Sequence, residues 1–181
     1  MAPIPAIRLA VPEDAAALAV LKRTTFRETF VEGFAIPYPP ADMARFEEES
    51  YGLAQVAAEL ADPDHATWVV AGEDGALVAY AHAGPCKLPH ADVRAGEVEL
   101  YQLYMLRDLK GGGLGRMLME RALGWMEGRG PATGGGRPWL GVWSGNQRAQ
   151  RFYARFGFAQ VGTYDFAVGD HRDHEFIWRR G

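Results

Sequence analysis

A chain of 181 residues has room for one hydrophobic core and not for a modular multidomain protein, and its 48% hydrophobic and 23% charged residues match soluble globular domains and exclude intrinsic disorder. With 19 Lys plus Arg against 23 Asp plus Glu the net charge is −4, the wrong sign for a domain that draws its affinity from phosphate backbones, so no nucleic-acid partner is expected. Apolar runs such as Ala15 to Leu21 stop well short of the ~18 residues of a membrane span, and the first residues lack a basic stretch followed by an apolar one. The lone Cys86 permits no internal disulfide, so a cytoplasmic protein without membrane contact is expected.

Ile4 to Ala10 reads as a short opening strand, and Pro12-Glu13-Asp14 as the start signal of a helix from Ala15 to about Val31. A second helix is predicted from Asp42 to Leu60. The loop between them, Gly33 to Pro40, carries Phe34, Tyr38 and three prolines and is expected at the surface, where function concentrates. Ala66 to Ala71 and Ala76 to Ala83 read as strands, and Asp74-Gly75 between them predicts an antiparallel hairpin. Gly96 to Leu106, rich in aromatic and branched residues, is a strand. The glycines of Gly111-Gly112-Gly113-Leu114-Gly115 then open a helix through Arg116 to Met126, with Leu114, Met117, Leu118, Leu123 and Met126 spaced near three and four. A loop from Gly128 to Gly136 leads to a buried strand, Trp139 to Trp143. A helix from Asn146 to Phe156 and two closing strands, Ala159 to Val168 and His174 to Arg179, complete the order β-α-α-β-β-β-α-β-α-β-β. No internal repeat interrupts it, and a single domain over residues 1–181 is expected.

A glycine loop between a strand and a helix presents consecutive N–H groups at the positive end of the helix dipole, which suits a phosphate. Lys110 to Gly115 fits that description, although a flexible turn fits it equally. The loop is not a dinucleotide fingerprint, because no acidic residue ends a second strand ~20 residues on, and no Gly-Lys-Ser/Thr makes it a Walker loop.

A second motif runs from Trp139-Leu140-Gly141-Val142-Trp143 through Asn146, Ala149 and Phe152-Tyr153 to Gly157-Phe158. Its spacing resembles the second signature of the GCN5-related N-acetyltransferase (GNAT) superfamily. Lys110-Gly111-Gly112-Gly113-Leu114-Gly115 resembles the first, Gln/Arg-x-x-Gly-x-Gly/Ala, with Lys in the leading place, which keeps the charge but not the amide or guanidinium geometry. The resemblance spans about residues 5–180, and Glu99 to Met105, Leu140 to Trp143 and Val161 to Asp170 look like the bacterial polyamine (PaiA-type) branch.

The resemblance implies a mixed α/β fold: a twisted, mostly antiparallel sheet of about seven strands, splayed between the fourth and fifth and flanked by about four helices. It also implies acetyl-CoA as co-substrate, with no metal. Backbone groups of Leu103, Tyr104 and Met105 would hold the pantetheine arm and acetyl carbonyl, Met105 N–H serving the oxyanion. Lys110, Gly111, Gly112, Gly113, Leu114, Gly115 and Arg116 would wrap the pyrophosphate. Asn146 would cap its helix and touch the cofactor. Tyr153 matches the tyrosine that protonates the departing thiolate; the alternative is an aromatic packed beside Phe152 and Phe156. Where many relatives hold an acid this chain has Tyr101. Glu97 and Glu99 share the face of Tyr101 by strand alternation, so Glu99 is the candidate base, through water, with an ion-paired carboxylate as the alternative.

Other residues read more plainly. Asp170-His171-Arg172-Asp173-His174 points to both faces of a strand and does not assemble a metal site, and Cys86 has no histidine in sequence to activate it. Glu47-Glu48-Glu49 is a solvated helix face or an attractor for a cationic substrate, and Arg148, Arg151 and Arg155 form a solvated stripe or contact a 3′-phosphate. The function implied is acetyl transfer from acetyl-CoA to the primary amine of a small, polyamine-like molecule by direct attack in a ternary complex. A non-catalytic acyl-CoA-binding module and a peptide or protein N-terminal acetyltransferase are the alternatives, and a homodimer is left open.

Overall fold

The computed structural model describes residues 6–129 and 136–181; Ile4 of the opening strand and most of the Gly128 to Gly136 loop lie outside them. Seven strands form one sheet in the order β1-β2-β3-β4-β5-β7-β6. They are β1 (Ile7–Leu9), β2 (Ala66–Ala71), β3 (Leu77–Pro85), β4 (Val98–Met105), β5 (Trp139–Trp143), β6 (Phe158–Val168) and β7 (His171–Arg180). All neighbours run antiparallel except β4 and β5. The predicted hairpin is present as β2–β3, with Gly75 at φ +82°.

Helix α1 (Ala15–Phe26) buries Ala15, Leu18, Ala19, Leu21, Lys22, Thr25 and Phe26, the stripe that a 3.6-residue period lays on one side. Its start is fixed by the Asp14 carboxylate, which accepts the Val11 N–H at 2.8 Å and an Arg8 ion pair. Past Phe26 the chain does not continue as α-helix to Val31 but widens into a π-helical segment, Arg27–Gly33. The predicted second helix is two, α2 (Pro40–Tyr51) and α3 (Leu53–Ala61). They part at Gly52, which is extended and so close to the preceding turn that a Cβ there would lie 2.4 Å from the Glu48 carbonyl.

Helix α4 (Leu114–Gly128) seals the other face of the sheet with Leu118, Met119, Ala122 and Met126, each without solvent exposure, against Val70, Ala81 and Leu100. Burying the leucine and the two methionines stabilises the fold by ~1.5–3 kcal/mol each. Helix α5 (Gln147–Ala154) follows β5. The final hairpin is longer than predicted: β7 begins at His171, three residues before the expected His174, because the chain reverses directly at Gly169-Asp170. Among the described residues no helix is long and apolar enough to cross a membrane.

Candidate active site

Strands β4 and β5 pair only at Glu99 with Trp139 and Leu100 with Leu140. Beyond these, β4 follows β3 and β5 follows β7, so the two strands part, and a cleft of about 800 Å³ opens along the freed end of β4, walled by the glycine loop and by α5, which follows β5. The Leu106 N–H donates to the Val78 carbonyl on β3, and amides alternate sides along a strand. Met105 and Leu103 therefore turn their N–H and C=O groups toward the cleft. Tyr104 turns its own toward β3, opposite Tyr80, so of the three residues expected to offer backbone groups this is the one whose groups the sheet takes up.

One lip of the cleft is the glycine loop. Gly111 and Gly113 sit at φ +102° and +85°, in the left-handed region that favours glycine, and Gly113 is the residue from which α4 springs. The unpaired N–H groups of the first turn of α4 thus open toward the cleft. Gly115 is glycine for a different reason: a Cβ there would meet Met105 Cε at 3.0 Å, so it lets α4 close on β4. Lys110, Gly111, Gly113, Gly115 and Arg116 line the cleft. Gly112 is exposed beside it, and Leu114 is turned into the core.

The opposite lip is α5. The Asn146 side-chain oxygen accepts the Ala149 N–H at 3.0 Å, which is the expected cap, and the residue also lines the cleft. Arg148, Arg151 and Arg155 line the same lip, and burial together with the charge of Arg148 lowers the pKa of Lys110 across the mouth. Tyr153 lines the cleft with its ring packed 5.4 Å from Phe152 and 6.2 Å from Phe158. Burial and the charge of Glu175 raise the pKa of its hydroxyl, so it holds its proton at neutral pH and can donate.

Glu99 is not among the residues lining the cleft. It is 7% exposed, accepts the Lys87 N–H at 2.9 Å, and sits on β4 where that strand still pairs with β5. Burial pushes its pKa up to about 7. Its neighbour Glu97 accepts the indole N–H of Trp139 at 2.8 Å. A second carboxylate, absent from the sequence candidates and like Glu99 not among the residues lining the cleft, is Glu175 on β7, pushed to about 7 by burial, with Tyr164 on β6 donating to it at 2.9 Å. The signal that could have found it is the Gly169-Asp170 turn, because counting outward from a two-residue hairpin sets Tyr164 opposite Glu175.

The remaining expectations resolve locally. Asp173 accepts from Tyr38 at 2.5 Å and lies 3.1 Å from His171 Nε2, which ties the loop after the π-helical segment to β7. Phe34 from that loop packs on Trp143 at 4.6 Å between ring centres. In the acidic run, Glu47 pairs with Arg27 and Glu48 with Arg23. Burial pushes the Cys86 thiol up to about 12, which keeps it protonated. Arg107, beside the glycine loop, is bound by Glu32 at 2.7 Å and by the Glu28 carbonyl at 3.2 Å, joining that loop to the π-helical segment.

A sheet parted between its fourth and fifth strands, with a glycine loop on one lip and a protonated tyrosine on the other, is the framework of an acyltransferase. The chain belongs to the acetyltransferase (GNAT) family, whose model matches residues 23–158. A Mycobacterium tuberculosis protein described as an uncharacterized N-acetyltransferase is 36% identical over 151 residues, which is 81% of this chain and 89% of the relative. Among solved structures, the PaiA N-acetyltransferase of Thermoplasma acidophilum in complex with coenzyme A superposes with a TM-score of 0.73 at 20% identity, covering 98% of this chain and 99% of that one. The ribosomal-protein-S18-alanine N-acetyltransferase of Escherichia coli superposes at 0.61 with 19% identity, covering 98% and 93%. At these identities the likeness is one of fold.

Proposed function

We propose that the protein moves the acetyl group of acetyl-CoA to the primary amine of a small, cationic, polyamine-like molecule, by direct attack while both substrates are bound. The observation that carries this reading is the parting of β4 from β5 after Leu100, which leaves Leu103 and Met105 with open backbone groups beside a cleft of about 800 Å³. A slender chain bearing amides can lie there as an added strand. The left-handed glycines Gly111 and Gly113 and the α4 N-terminus fit a pyrophosphate, and the neighbouring fold solved with coenzyme A supports the same co-substrate.

In this reading Met105 N–H stabilises the oxyanion and Tyr153 supplies a proton to the thiolate. Asn146 keeps its capping oxygen on Ala149 and turns its amide NH2 to the co-substrate. A cationic acceptor is supported by the carboxylates on the same face of the sheet, the buried Glu99 and Asp173 and the half-buried Glu175, of which Glu99 and Glu175, pushed up to about 7, are matched to taking a proton from an ammonium group near neutral pH. The test is thiol release from acetyl-CoA against a panel of polyamines, amino acids, aminoglycosides and peptides with free N-termini. Release stimulated by diamines above all others is expected. Tight acetyl-CoA binding with no acceptor-stimulated release would overturn the enzymatic reading, and stimulation by peptides alone would overturn the acceptor.

A further inference from the structure

Resting on that reading of acetyl transfer, we propose that Glu175 on β7 accepts the proton of the attacking amine and that Tyr164 on β6 is the residue that positions it. The argument starts from Gly141. It is the first residue of β5 beyond the last pair with β4, and so it stands at the apex of the split. A Cβ on Gly141 would lie 2.5 Å from Tyr164 Oη and 3.1 Å from Glu175 Oε2. The hydrogen-bonded pair therefore lies directly over that apex, and glycine is there because the pair needs the space.

The charged and titratable groups around Glu175 come from every element packed on it. Tyr164 donates from β6, Asp173 repels from β7, and Glu99 faces it from β4. The charge of Glu175 also raises the pKa of Tyr104 on β4, Tyr153 on α5, Tyr38 in the loop before α2 and Tyr51 on α2. Tyr104 and Tyr153 line the cleft. Glu99 acts instead on Tyr101, Cys86 and Tyr164, and its own oxygen is held by the Lys87 N–H. Of the two carboxylates, Glu175 is the one packed against Gly141 at the apex of the split, whereas Glu99 is engaged by the Lys87 N–H.

An amine of the lysine type has a pKa near ~10.4, so only about one molecule in 10³ is unprotonated at neutral pH. The ammonium R–NH3+ gives one proton to the Glu175 carboxylate. The freed lone pair forms the C–N bond at the thioester carbon as the carbonyl pair moves onto oxygen beside Met105 N–H, and the return of that pair breaks the C–S bond and expels the thiolate. The thiolate takes the Tyr153 proton, and the second proton shed by nitrogen returns to Tyr153. Acetyl-CoA and R–NH3+ thus become R–NH–COCH3, coenzyme A thiol and one proton, which leaves on Glu175.

The test compares parent, Glu175→Gln, Tyr164→Phe and Glu99→Gln, with spermidine as acceptor, across about pH 6 to 10, together with calorimetric binding of acetyl-CoA. General-base catalysis is worth ~10²–10⁴-fold, and Glu175→Gln is expected to lower kcat about a hundredfold at neutral pH with acetyl-CoA affinity unchanged. The parent profile should rise through about pH 7, where Glu175 ionises, and level off. In Glu175→Gln the rate should keep climbing toward the ionisation of the amine itself. Tyr164→Phe removes a hydrogen bond that lowers the Glu175 pKa, so its limb should move to higher pH, a displacement that a purely structural role would not produce. Parent-like turnover and an unmoved limb in Glu175→Gln would overturn the proposal, as would loss of the limb in Glu99→Gln alone. A parent that acetylates no amine in the panel would instead refute the underlying reading.

Discussion

Replacing Tyr153 with phenylalanine removes one oxygen and leaves the ring between Phe152 and Phe158, at centroid distances of 5.4 and 6.2 Å. No protein acceptor takes the hydroxyl among the described residues, so the folded state should change by less than ~1 kcal/mol. The chemical cost follows from the leaving group. A thiolate with a pKa near ~8.5 departs tolerably without help, so the low end of general-acid catalysis applies, and kcat should fall about ten- to a hundredfold. Because the ring still fills its place in the cleft wall, the KM for acetyl-CoA should stay within about twofold. Burial and the Glu175 charge hold the phenol protonated far above neutrality, so the parent should show no loss of rate from Tyr153 ionisation below about pH 10. Steady-state thiol release across pH, with a thermal melt of each protein, measures all three quantities. Parent-like turnover of a folded Tyr153→Phe at every pH would refute the acid role and leave the tyrosine a packing residue.

Gly141→Ala puts a methyl 2.5 Å from Tyr164 Oη, and displacing that side chain should cost ~1–3 kcal/mol by chemical denaturation and at least tenfold in kcat. Gly113→Val imposes a branched side chain at φ +85° on the residue that starts α4, and calorimetry should show acetyl-CoA affinity reduced tenfold or more in a protein that still melts cooperatively. The third expectation concerns the stability of the fold against pH. Glu99 is raised to about 7 when folded, so its protonated form is the favoured one in the native state. Stability from this group is present below the ordinary carboxylate pKa and lost as pH rises from about 4.5 to 7, an effect on the order of 3 kcal/mol. The unfolding free energy of the parent should accordingly fall against that of Glu99→Gln over this interval, and a constant difference in urea melts would contradict the buried environment of Glu99.

What could be read from the residues alone was whatever is encoded locally. The glycine loop, the Asn146 cap and the Asp74-Gly75 hairpin each depend on neighbours a few positions away, and each is found where its residue types require. The break at Gly52 is not legible, because Val56 and its neighbours continue the apolar spacing of α2 and a glycine inside such a run weakens a helix by only ~1 kcal/mol, which does not by itself dictate a stop. Strand β4 hides a second such case. Its pairing with β3 slips between His82 and Ala83, which makes Tyr101 an extra residue and shifts the alternation beyond it. Leu103 consequently packs toward α4, and Tyr104 joins the face carrying Glu99. Glu175 is hidden because a strand beginning at His174 leaves the Gly169-Asp170 reversal undefined, and with it the register that pairs Glu175 with Tyr164. Chemistry assembled across strands needs the register, and the register is a tertiary property.

An unpaired strand edge inside a protein is ordinarily a hazard, since any extended segment can add to it. Here two such edges face each other, β4 beyond Leu100 and β5 beyond Leu140, and the gap between them narrows to a single interstrand spacing at their last shared pair. A polypeptide strand entering the wedge would need ~4.7–4.9 Å on each side of its backbone and room for side chains above and below. Its approach would also pass Lys110, Arg116, Arg148 and Arg151, which turn away basic segments and welcome polyanions. The shape and charge of the opening thus guard the exposed edges by the same features that suit them to the co-substrate proposed above: they fit a thin, amide-bearing chain with phosphates at its outer end and disfavour the bulkier strands that would otherwise be drawn to them.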